Sequence, residues 1–358
     1  MNNNLYCVIM AGGVGSRFWP LSTEEKPKQF IDVLGIGKTF IQMTYERFSD
    51  IVPISNFVVM TNANYKDIVL EQLPMLEESQ VLCEPARRNT APCIAYAAYH
   101  IQALNKDAVM VVTPSDHLVL DKKAYEKTID CALSFASENN SLMTIGLCPS
   151  RPETGYGYIQ TSSKLGCGEM GKVKSFTEKP DIELAKVFVK SGEFLWNSGI
   201  FIWNCSSIIN AFKDNLPDVY SIFDDGKNVF GTSKEQAFIE KEFSSCISIS
   251  IDYGIMEKAE NVYVCSSDFG WSDIGTWGSL YSHTQKDEDN NTVSGGVTVV
   301  NNTKNSIIRI DDKRTAIIDG LDNFIVVSQE DKLLICSRDN EQKIRNYIDE
   351  IGTPFNKK

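Results

Sequence analysis

The chain has 358 residues, of which 42% are hydrophobic and 23% are charged, and its formal net charge is −12. This length allows about two or three domains with a large core. The acidic balance argues against a nucleic-acid partner, because proteins that bind nucleic acid usually carry a basic patch or stripe. No apolar run reaches the roughly 18 residues of a membrane helix, and the start Met1-Asn-Asn-Asn lacks the basic region of a secretory signal. We therefore expect no membrane partner and a cytoplasmic location.

The first predicted element is a strand that runs into a glycine-rich turn. Residues 6–10 are apolar throughout, which is typical of a buried parallel strand. Glycines after a strand let backbone N–H groups close around an anion, and Arg17 and Lys28 add two cations nearby. The sequence therefore predicts a phosphate site at this turn. Its candidate nucleotide-binding residues are Ala11, Gly12, Gly13, Gly15 and Ser16.

Two commoner phosphate motifs do not fit. The dinucleotide motif G-x-G-x-x-G would begin at Gly13, but Phe18 stands where its third glycine belongs. Gly37-Lys38-Thr39 looks like the end of a phosphate-binding P-loop, but Asp32 occupies the place of the first glycine. Both motifs are rejected on spacing.

The turn, together with Lys26-Pro-Lys-Gln-Phe30, resembles the signature of the sugar-nucleotide pyrophosphorylases, most closely that of the guanylyltransferase branch. The resemblance extends over essentially the whole chain. It implies a nucleotidyltransferase fold, GTP and mannose 1-phosphate as substrates, GDP-mannose and pyrophosphate as products, Mg²⁺ as cofactor and a homodimer. It also implies catalytic roles for Arg17 and Lys28.

Up to about residue 150, apolar runs alternate with helical patterns, which is the βαβ signature of a mostly parallel sheet. We therefore predict an α/β, Rossmann-like mixed sheet, whose ligands lie beyond the carboxyl ends of the strands. The predicted strands are 6–10, 57–61, 80–83, 109–113 and 142–145, and the predicted helices are 40–48, 64–72, 91–104 and 123–137.

The segment Glu84-Pro-Ala-Arg-Arg-Asn-Thr resembles the base-recognition loop of the guanylyltransferase branch. Guanine offers N–H donors and an oxygen acceptor, and Glu84, Arg87 and Asn89 have matching chemistry. The alternative for Asn89 or Thr90 is to cap the helix that follows.

Two aspartates are the candidate metal ligands. Asp116 follows the predicted strand 109–113, where a carboxylate is well placed to hold Mg²⁺, although an Asp there can also cap a turn. Asp273 lies between Gly270 and Gly275, and it could instead cap a helix that begins near Thr276. In the family pattern the two carboxylates form one metal site.

Residues 150–285 show a mixed pattern and carry the candidate sugar site. Lys179 resembles the family's second cation, which meets the sugar 1-phosphate, and Pro180 after it predicts an extended backbone at Lys179. Taken alone, Glu-Lys-Pro is a common surface turn. Gly157, Glu178 and Asn197 resemble the sugar-binding residues. The predicted strands here are 156–161, 172–178 and 199–203, and the predicted helices are 183–190 and 233–242.

Residues 285–291 are polar and charged with nothing to bury, which predicts a linker between domains 1–285 and 292–358. Short β-rich runs follow at 296–300, 306–310, 315–318, 324–328 and 333–336, before a helix at 340–351. Such runs suit a small β-solenoid or sandwich. The family resemblance favours a short left-handed β-helix, an element used in dimerisation.

No serine, cysteine or histidine constellation suggests a covalent intermediate. Cations, carboxylates and glycine turns instead favour direct phosphoryl-type transfer. The alternatives are transfer to another hexose or heptose 1-phosphate, and an inactive regulatory homologue. A glycosyltransferase is disfavoured because the D-x-D triplet Asp287-Glu-Asp289 lies in the predicted linker.

Overall fold

The computed structural model describes residues 3–13 and 15–351, and for Ser16 its backbone only. The chain divides into two compact units that are interleaved in sequence. The first unit contains Met1–Gly12, Tyr45–Ser115 and Val119–Trp271. The second unit contains Gly13–Thr44, Asp116–Leu118 and Ser272–Lys358. The domain boundary that we expect at 285–292 stays a prediction.

The first unit is built on a nine-stranded sheet in the order β3-β2-β1-β4-β9-β6-β10-β8-β7. Only β8 and β9 run opposite to the other seven strands, which confirms a mixed, mostly parallel sheet. Its strands are β1 (Leu5–Met10), β2 (Phe57–Asn62), β3 (Val81–Glu84), β4 (Val109–Pro114), β6 (Leu142–Leu147), β7 (Tyr158–Thr161), β8 (Met170–Thr177), β9 (Phe194–Asn204) and β10 (Val262–Ser267), while β5 (Leu118–Val119) and β11 (Trp271–Ser272) are two-residue strands outside it.

Helices bury the faces of this sheet. The interior strands are apolar without interruption because both of their faces are covered, and Cys7, Val8 and Ile9 of β1 are completely buried. The described helices of the whole chain, of which α9, α10 and the first half of α1 belong to the second unit, are α1 (Phe40–Phe48), α2 (Lys66–Gln72), α3 (Thr90–Leu104), α4 (Lys122–Glu138), α5 (Ile182–Ser191), α6 (Cys205–Asn215), α7 (Pro217–Asp225), α8 (Glu235–Glu242), α9 (Trp277–His283) and α10 (Ile344–Glu350).

Helices α6 and α7 are absent from our sequence prediction. Their buried residues Ile208, Phe212, Val219 and Phe223 belong to the same apolar core as α3 and the strands it covers. Pro217 occupies the first turn of α7 and divides the amphipathic pattern into two short pieces, each weak as a sequence signal.

The second unit contains a four-stranded sheet in the order β12-β13-β14-β15, where the first three strands are parallel and β15 is antiparallel to β14. Successive parallel strands joined by short turns are the pattern of a small solenoid. The strands are β12 (Thr292–Asn301), β13 (Ile307–Asp319), β14 (Phe324–Gln329) and β15 (Lys332–Ser337).

Two glycines allow β12 and β13 to approach each other. A Cβ on Gly295, whose φ is +86°, would lie 1.7 Å from the carbonyl oxygen of Ile310, and a Cβ on Gly296 would lie 2.2 Å from that of Arg314. The register of the two strands shifts at this point. A side chain at either position would therefore push the strands apart.

The segment predicted as a linker with nothing to bury has a buried residue at its end. Asn291 is buried, and its side-chain amide donates to Asp287 Oδ2 at 3.1 Å and to the carbonyl oxygen of Thr303 at 2.8 Å. The expectation that nothing is buried there is wrong, because one asparagine satisfies buried polar groups that an apolar side chain could not. None of the described helices is long and apolar enough to cross a membrane.

Candidate active site

The glycine turn follows β1 and opens the second unit. Gly15 has φ +60°, and a Cβ there would lie 2.6 Å from Cβ of Lys28, so glycine is required on both counts. Gln29 Nε2 donates to the carbonyl oxygen of Gly13 at 2.8 Å, and Ser22 Oγ donates to that of Gly15 at 2.7 Å. Both bonds hold the backbone of the glycine turn in place. The side chain of Ser16 lies outside the described part of the chain.

Lys28 joins the two aspartate segments. Its side chain is almost completely buried, and its Nζ donates to Asp116 Oδ2 at 3.0 Å and to the carbonyl oxygen of Asp273 at 2.6 Å. The same ammonium lies 4.9 Å from the ring centroid of Phe40, a cation–π distance. Lys28 therefore binds two segments distant in sequence, one through the carboxylate of Asp116 and the other through the backbone carbonyl of Asp273.

Asp116 is held in its ionised form. Burial, the largest single effect, would raise the pKa of its carboxyl. The charge of Lys28, the neighbouring His117 and hydrogen bonds from Lys28 and the backbone together outweigh burial and lower the pKa below its usual value. His117 Nε2 lies 3.8 Å from Asp116 Oδ1. A permanently charged carboxylate is what a hard cation requires.

The Asp273 loop is strained and closely fitted. Ile274 is buried and β-branched, yet its φ is +42°, an outlier that persists only where surrounding contacts enforce it and that often marks a functional site. The Gly275 N–H donates to Asp273 Oδ1 at 2.9 Å, and a Cβ at Gly275 would lie 2.6 Å from Asp273 Oδ2. Thr276, and not Asp273, caps α9, so the capping alternative is wrong.

These groups line a cleft of about 280 Å³ in the second unit. The described residues contain no group of three or more His, Cys, Asp or Glu side chains arranged to enclose a metal. Two carboxylates fit Mg²⁺, which commonly takes one or two protein ligands and completes its shell with water and phosphate oxygens. The cleft is lined by Gly15, Arg17, Phe18, Lys28, Asp116, His117, Asp273, Gly275 and Arg345.

Glu84, the candidate base reader, ends β3 in the first unit. Its carboxyl is buried, and its Oε1 has no hydrogen-bond partner among the described residues. Its Oε2 would lie 3.5 Å from a Cβ placed on Gly12, so the carboxyl is close to that residue. Burial raises the pKa of Glu84 to about 7, and a hydrogen bond with Cys93 offsets part of that effect. A buried acceptor without a partner beside a residue of the glycine turn is suited to an N–H donor of a ligand.

The other two candidate base readers have partners within the protein. Arg87 Nη2 lies 3.4 Å from the hydroxyl of Tyr65. Asn89 has φ +65°, and its Oδ1 accepts from the N–H of Thr90 at 2.9 Å, so Asn89 caps α3 as the alternative predicted. Their contact with a base stays a prediction.

The three candidate sugar-binding residues lie together in a pocket of the first unit. A Cβ on Gly157 would lie 2.7 Å from Glu178 Oε2, so only glycine permits the approach. Asn197 Nδ2 donates to Asp252 Oδ1 at 2.7 Å, and Asn197 Oδ1 accepts from the Gly199 N–H at 3.0 Å. The orientation of the Asn197 amide is therefore fixed before any sugar binds.

The backbone prediction for Lys179 is wrong. Its φ is +42°, which is left-handed and not extended, because the chain must turn between the end of β8 and the start of α5 within residues 178–181. Lys179 is exposed, and its Nζ pairs with Glu178 Oε1. The ammonium thus lies beside the carboxylate of Glu178, which lines the candidate sugar pocket.

Sequence reasoning missed one side of the candidate sugar pocket, formed by Asp252, Tyr253 and Glu257. Asp252 begins a π-helical turn, Asp252–Met256, a rare element that is frequent at functional sites. Burial raises the pKa of Asp252, despite the Asn197 hydrogen bond, and Glu178 raises it further. The only sequence signal was an acidic residue two positions before Gly254. Sequence reasoning also missed Arg345 in the cleft and Cys93 beside Glu84.

Comparisons with known proteins identify the family of the chain. The family described as "Nucleotidyl transferase" matches residues 6–290, and the "MannoseP isomerase/GMP-like beta-helix domain" matches residues 296–351. The second match supports the β-helix assignment of the second sheet.

Two curated relatives carry the description mannose-1-phosphate guanylyltransferase. The Salmonella muenchen protein is 36% identical over 352 residues, 97% of this chain and 73% of its own length. The Escherichia coli protein is 34% identical over 359 residues, covering 98% and 76%. A crystal structure described as mannose-1-phosphate geranyltransferase from Thermus thermophilus superposes with TM-score 0.86 at 29% identity, covering 98% of this chain and 99% of that one. The chain therefore belongs to the nucleotidyl transferase family and is a nucleotidyltransferase of the mannose-1-phosphate guanylyltransferase type.

Proposed function

We propose that the protein transfers GMP from GTP to mannose 1-phosphate, with Mg²⁺ as cofactor, and releases GDP-mannose and pyrophosphate. The observation that carries the proposal is the junction at Lys28, where one buried ammonium contacts both Asp116 and the Asp273 loop in a cleft that also holds the glycine turn and Arg17. Two carboxylates beside cations and a phosphate-binding turn are suited to a metal-bound triphosphate.

The reaction is a single displacement. A phosphate oxygen of mannose 1-phosphate forms a bond to the α-phosphorus of GTP, while the bond between that phosphorus and the bridging oxygen of pyrophosphate breaks. Asp116 and Asp273 would hold Mg²⁺, which would supply the positive charge that polarises the α-phosphate. Arg17 neutralises the charge that develops on pyrophosphate, and Lys28 keeps both aspartate segments in position.

Residues of the first unit select the base and the sugar. Glu84 accepts hydrogen bonds from the N–H groups of guanine, with Arg87 and Asn89 of the same loop adjoining the base. Gly157, Glu178 and Asn197 bind sugar hydroxyls, and Lys179 exchanges its pairing with Glu178 for the phosphate of mannose 1-phosphate. Ala11, Gly12, Gly13, Gly15 and Ser16 bind the phosphate chain.

The proposal includes a homodimer that works in the cytoplasm, where GTP is available. Val297, Val299 and Ile317 expose 68%, 47% and 73% of their surface, and Val299 pairs with Ile317 across β12 and β13. Residues two apart on a strand share a face, so these side chains form one apolar stripe. An exposed apolar stripe is typical of an association surface.

The test is pyrophosphate release from a matrix of nucleoside triphosphates and hexose and heptose 1-phosphates, with and without Mg²⁺. We expect turnover to be highest for GTP with mannose 1-phosphate and to require the metal. Asp273→Asn should lower kcat by about 100-fold or more, while Asp268→Asn, an exposed neighbour, should not. If another sugar 1-phosphate is preferred, mannose 1-phosphate is not the substrate. If no pair of substrates is turned over, the protein is better explained as an inactive regulatory homologue.

A further inference from the structure

The second unit places one residue of its C-terminal helix in the candidate phosphate cleft. Arg345 of α10 lines the cleft with Gly15, Arg17, Lys28 and Asp273. We infer that Arg345 is a third phosphate-binding cation, which holds the β- and γ-phosphates of the triphosphate and the pyrophosphate that they become. This inference rests on the proposed function for the identity of the reaction, but not for the existence of the anion site.

Packing fixes α10 beside the glycine turn. Ile344 and Ile348 are almost fully buried and belong to one apolar cluster with Phe18 and Trp277. Positions four apart lie on the same helix face, so both isoleucines anchor that face. The helix contacts the short 3₁₀ turn Ser16–Phe18, which contains Arg17. Arg345, one residue after the first anchor, is therefore held at the edge of the cleft by core packing.

The charge of the cleft favours a polyanion. Arg17, Lys28 and Arg345 line it together with Asp116 and Asp273, so three cations accompany two carboxylates. Arg17 and Arg345 have exposed side chains. Two guanidinium groups at one cleft produce a positive potential that attracts polyanions. A guanidinium also donates in a fork that matches two phosphate oxygens.

Arg345 acts on the departing group and not on the sugar. It lines the cleft that contains the glycine turn and the two aspartates, whereas the sugar-binding candidates Gly157, Glu178 and Asn197 line a separate pocket. Loss of Arg345 should therefore weaken contacts to GTP and to pyrophosphate, and leave contacts to mannose 1-phosphate unchanged.

The experiment measures both binding and kinetics in the full-length chain. Inorganic pyrophosphate with Mg²⁺ is titrated calorimetrically into wild type, Arg345→Gln, Arg345→Lys and the control Lys343→Gln, an exposed cation at the start of the same helix. We expect the Kd for pyrophosphate to rise about tenfold or more in Arg345→Gln. It should rise less in Arg345→Lys, because lysine keeps the charge but not the forked donor geometry of arginine. In Lys343→Gln the Kd should stay within about twofold of wild type.

The kinetic arm compares KM for GTP and for mannose 1-phosphate, and KM for pyrophosphate in the reverse reaction. Arg345→Gln should raise the KM values for GTP and pyrophosphate and leave that for mannose 1-phosphate within about twofold. If Arg345→Gln lowers the melting temperature, the Arg345→Lys variant decides the question. Equal pyrophosphate affinity in wild type and the Arg345 variants would overturn the inference. If wild type binds pyrophosphate through Arg345 but does not use GTP with mannose 1-phosphate, the anion site stands and the proposed substrates fail.

Discussion

At the scale of single residues, Lys28 has two tasks that a substitution separates. Lys28→Met keeps the length of the apolar stem but removes the ammonium that contacts Asp116 and the Asp273 carbonyl. We expect kcat to fall by about 100-fold or more. We also expect a loss of about 2 kcal/mol in the free energy of unfolding, because Asp116 is then partly buried without its partner. Urea denaturation and initial rates measure both effects.

Lys26→Met is the control for Lys28. It lies two residues earlier in the same segment but is exposed, so both stability and kcat should stay near wild type. A Lys28→Met protein that unfolds and turns over like wild type would show that the junction has neither role.

Glu84 makes the stability of the protein depend on pH. Burial raises the pKa of its carboxyl from 4.5 to about 7, so the folded chain binds this proton more tightly than the unfolded chain. The free energy of unfolding should therefore fall as pH rises from about 5 to about 8, by on the order of 3 kcal/mol. The Glu84→Gln variant has no carboxyl that titrates at this position. The difference in free energy of unfolding between the variant and wild type should therefore shift in favour of the variant as pH rises. If urea denaturation gave parallel pH profiles of stability for wild type and Glu84→Gln, the raised pKa of Glu84 would be contradicted.

The same titration should appear in GTP binding. Guanine N–H groups favour the ionised carboxylate, so the affinity of wild type for GTP should weaken as pH falls through about 7. The phosphates of GTP titrate in a similar range, and Glu84→Gln provides the correction because it shares that background. Calorimetric affinities across this range measure the difference between the two proteins.

At the scale of elements, burial determined which predictions held. The strands β1, β2 and β4 lie within one residue of their predicted bounds, because strands covered on both faces are apolar without interruption. The two predicted strands 306–310 and 315–318 are one strand, β13. The four charged residues 311–314 form a sequence pattern that is typical of a turn. A strand at the surface of a solenoid can nevertheless carry them, because their side chains reach solvent. Pairing with β12 on both sides of its register shift keeps the strand continuous.

Gly295 should be the more sensitive of two matched glycines in the second unit. Gly295 and Gly320 both have positive φ, but a Cβ at Gly295 would meet the backbone of Ile310, while one at Gly320 would meet nothing within 4 Å. We expect Gly320→Ala to cost about 1 kcal/mol from the backbone conformation alone and Gly295→Ala about 3 kcal/mol or more. Hydrogen exchange of the β12 and β13 amides measures the difference, and equal protection in both variants would contradict the steric argument.

At the scale of the whole molecule, the sequence located the motifs but not their contacts. Arg17, Asp116 and Asp273 were found because glycine turns and strand ends have local signatures. The contact of Lys28 with both aspartate segments, the π-helical turn at Asp252 and the placement of Arg345 depend on tertiary packing between segments far apart in the chain. No local pattern encodes such contacts, so they could not be predicted from one sequence.

The proposed homodimer should depend on the apolar stripe of Val297, Val299 and Ile317. Placing charge in it with Val299→Glu and Ile317→Glu would bury two unpaired carboxylates in the interface, each at a cost of several kcal/mol. We therefore expect the double variant to be monomeric by size-exclusion chromatography with light scattering, at concentrations where wild type is a dimer. Ile335→Glu is the matched control, because Ile335 of β15 is 55% exposed in the same sheet but outside the stripe. If the double variant dimerises as strongly as wild type, the interface lies on another surface. If Ile335→Glu alone dissociates the dimer, the interface includes β15.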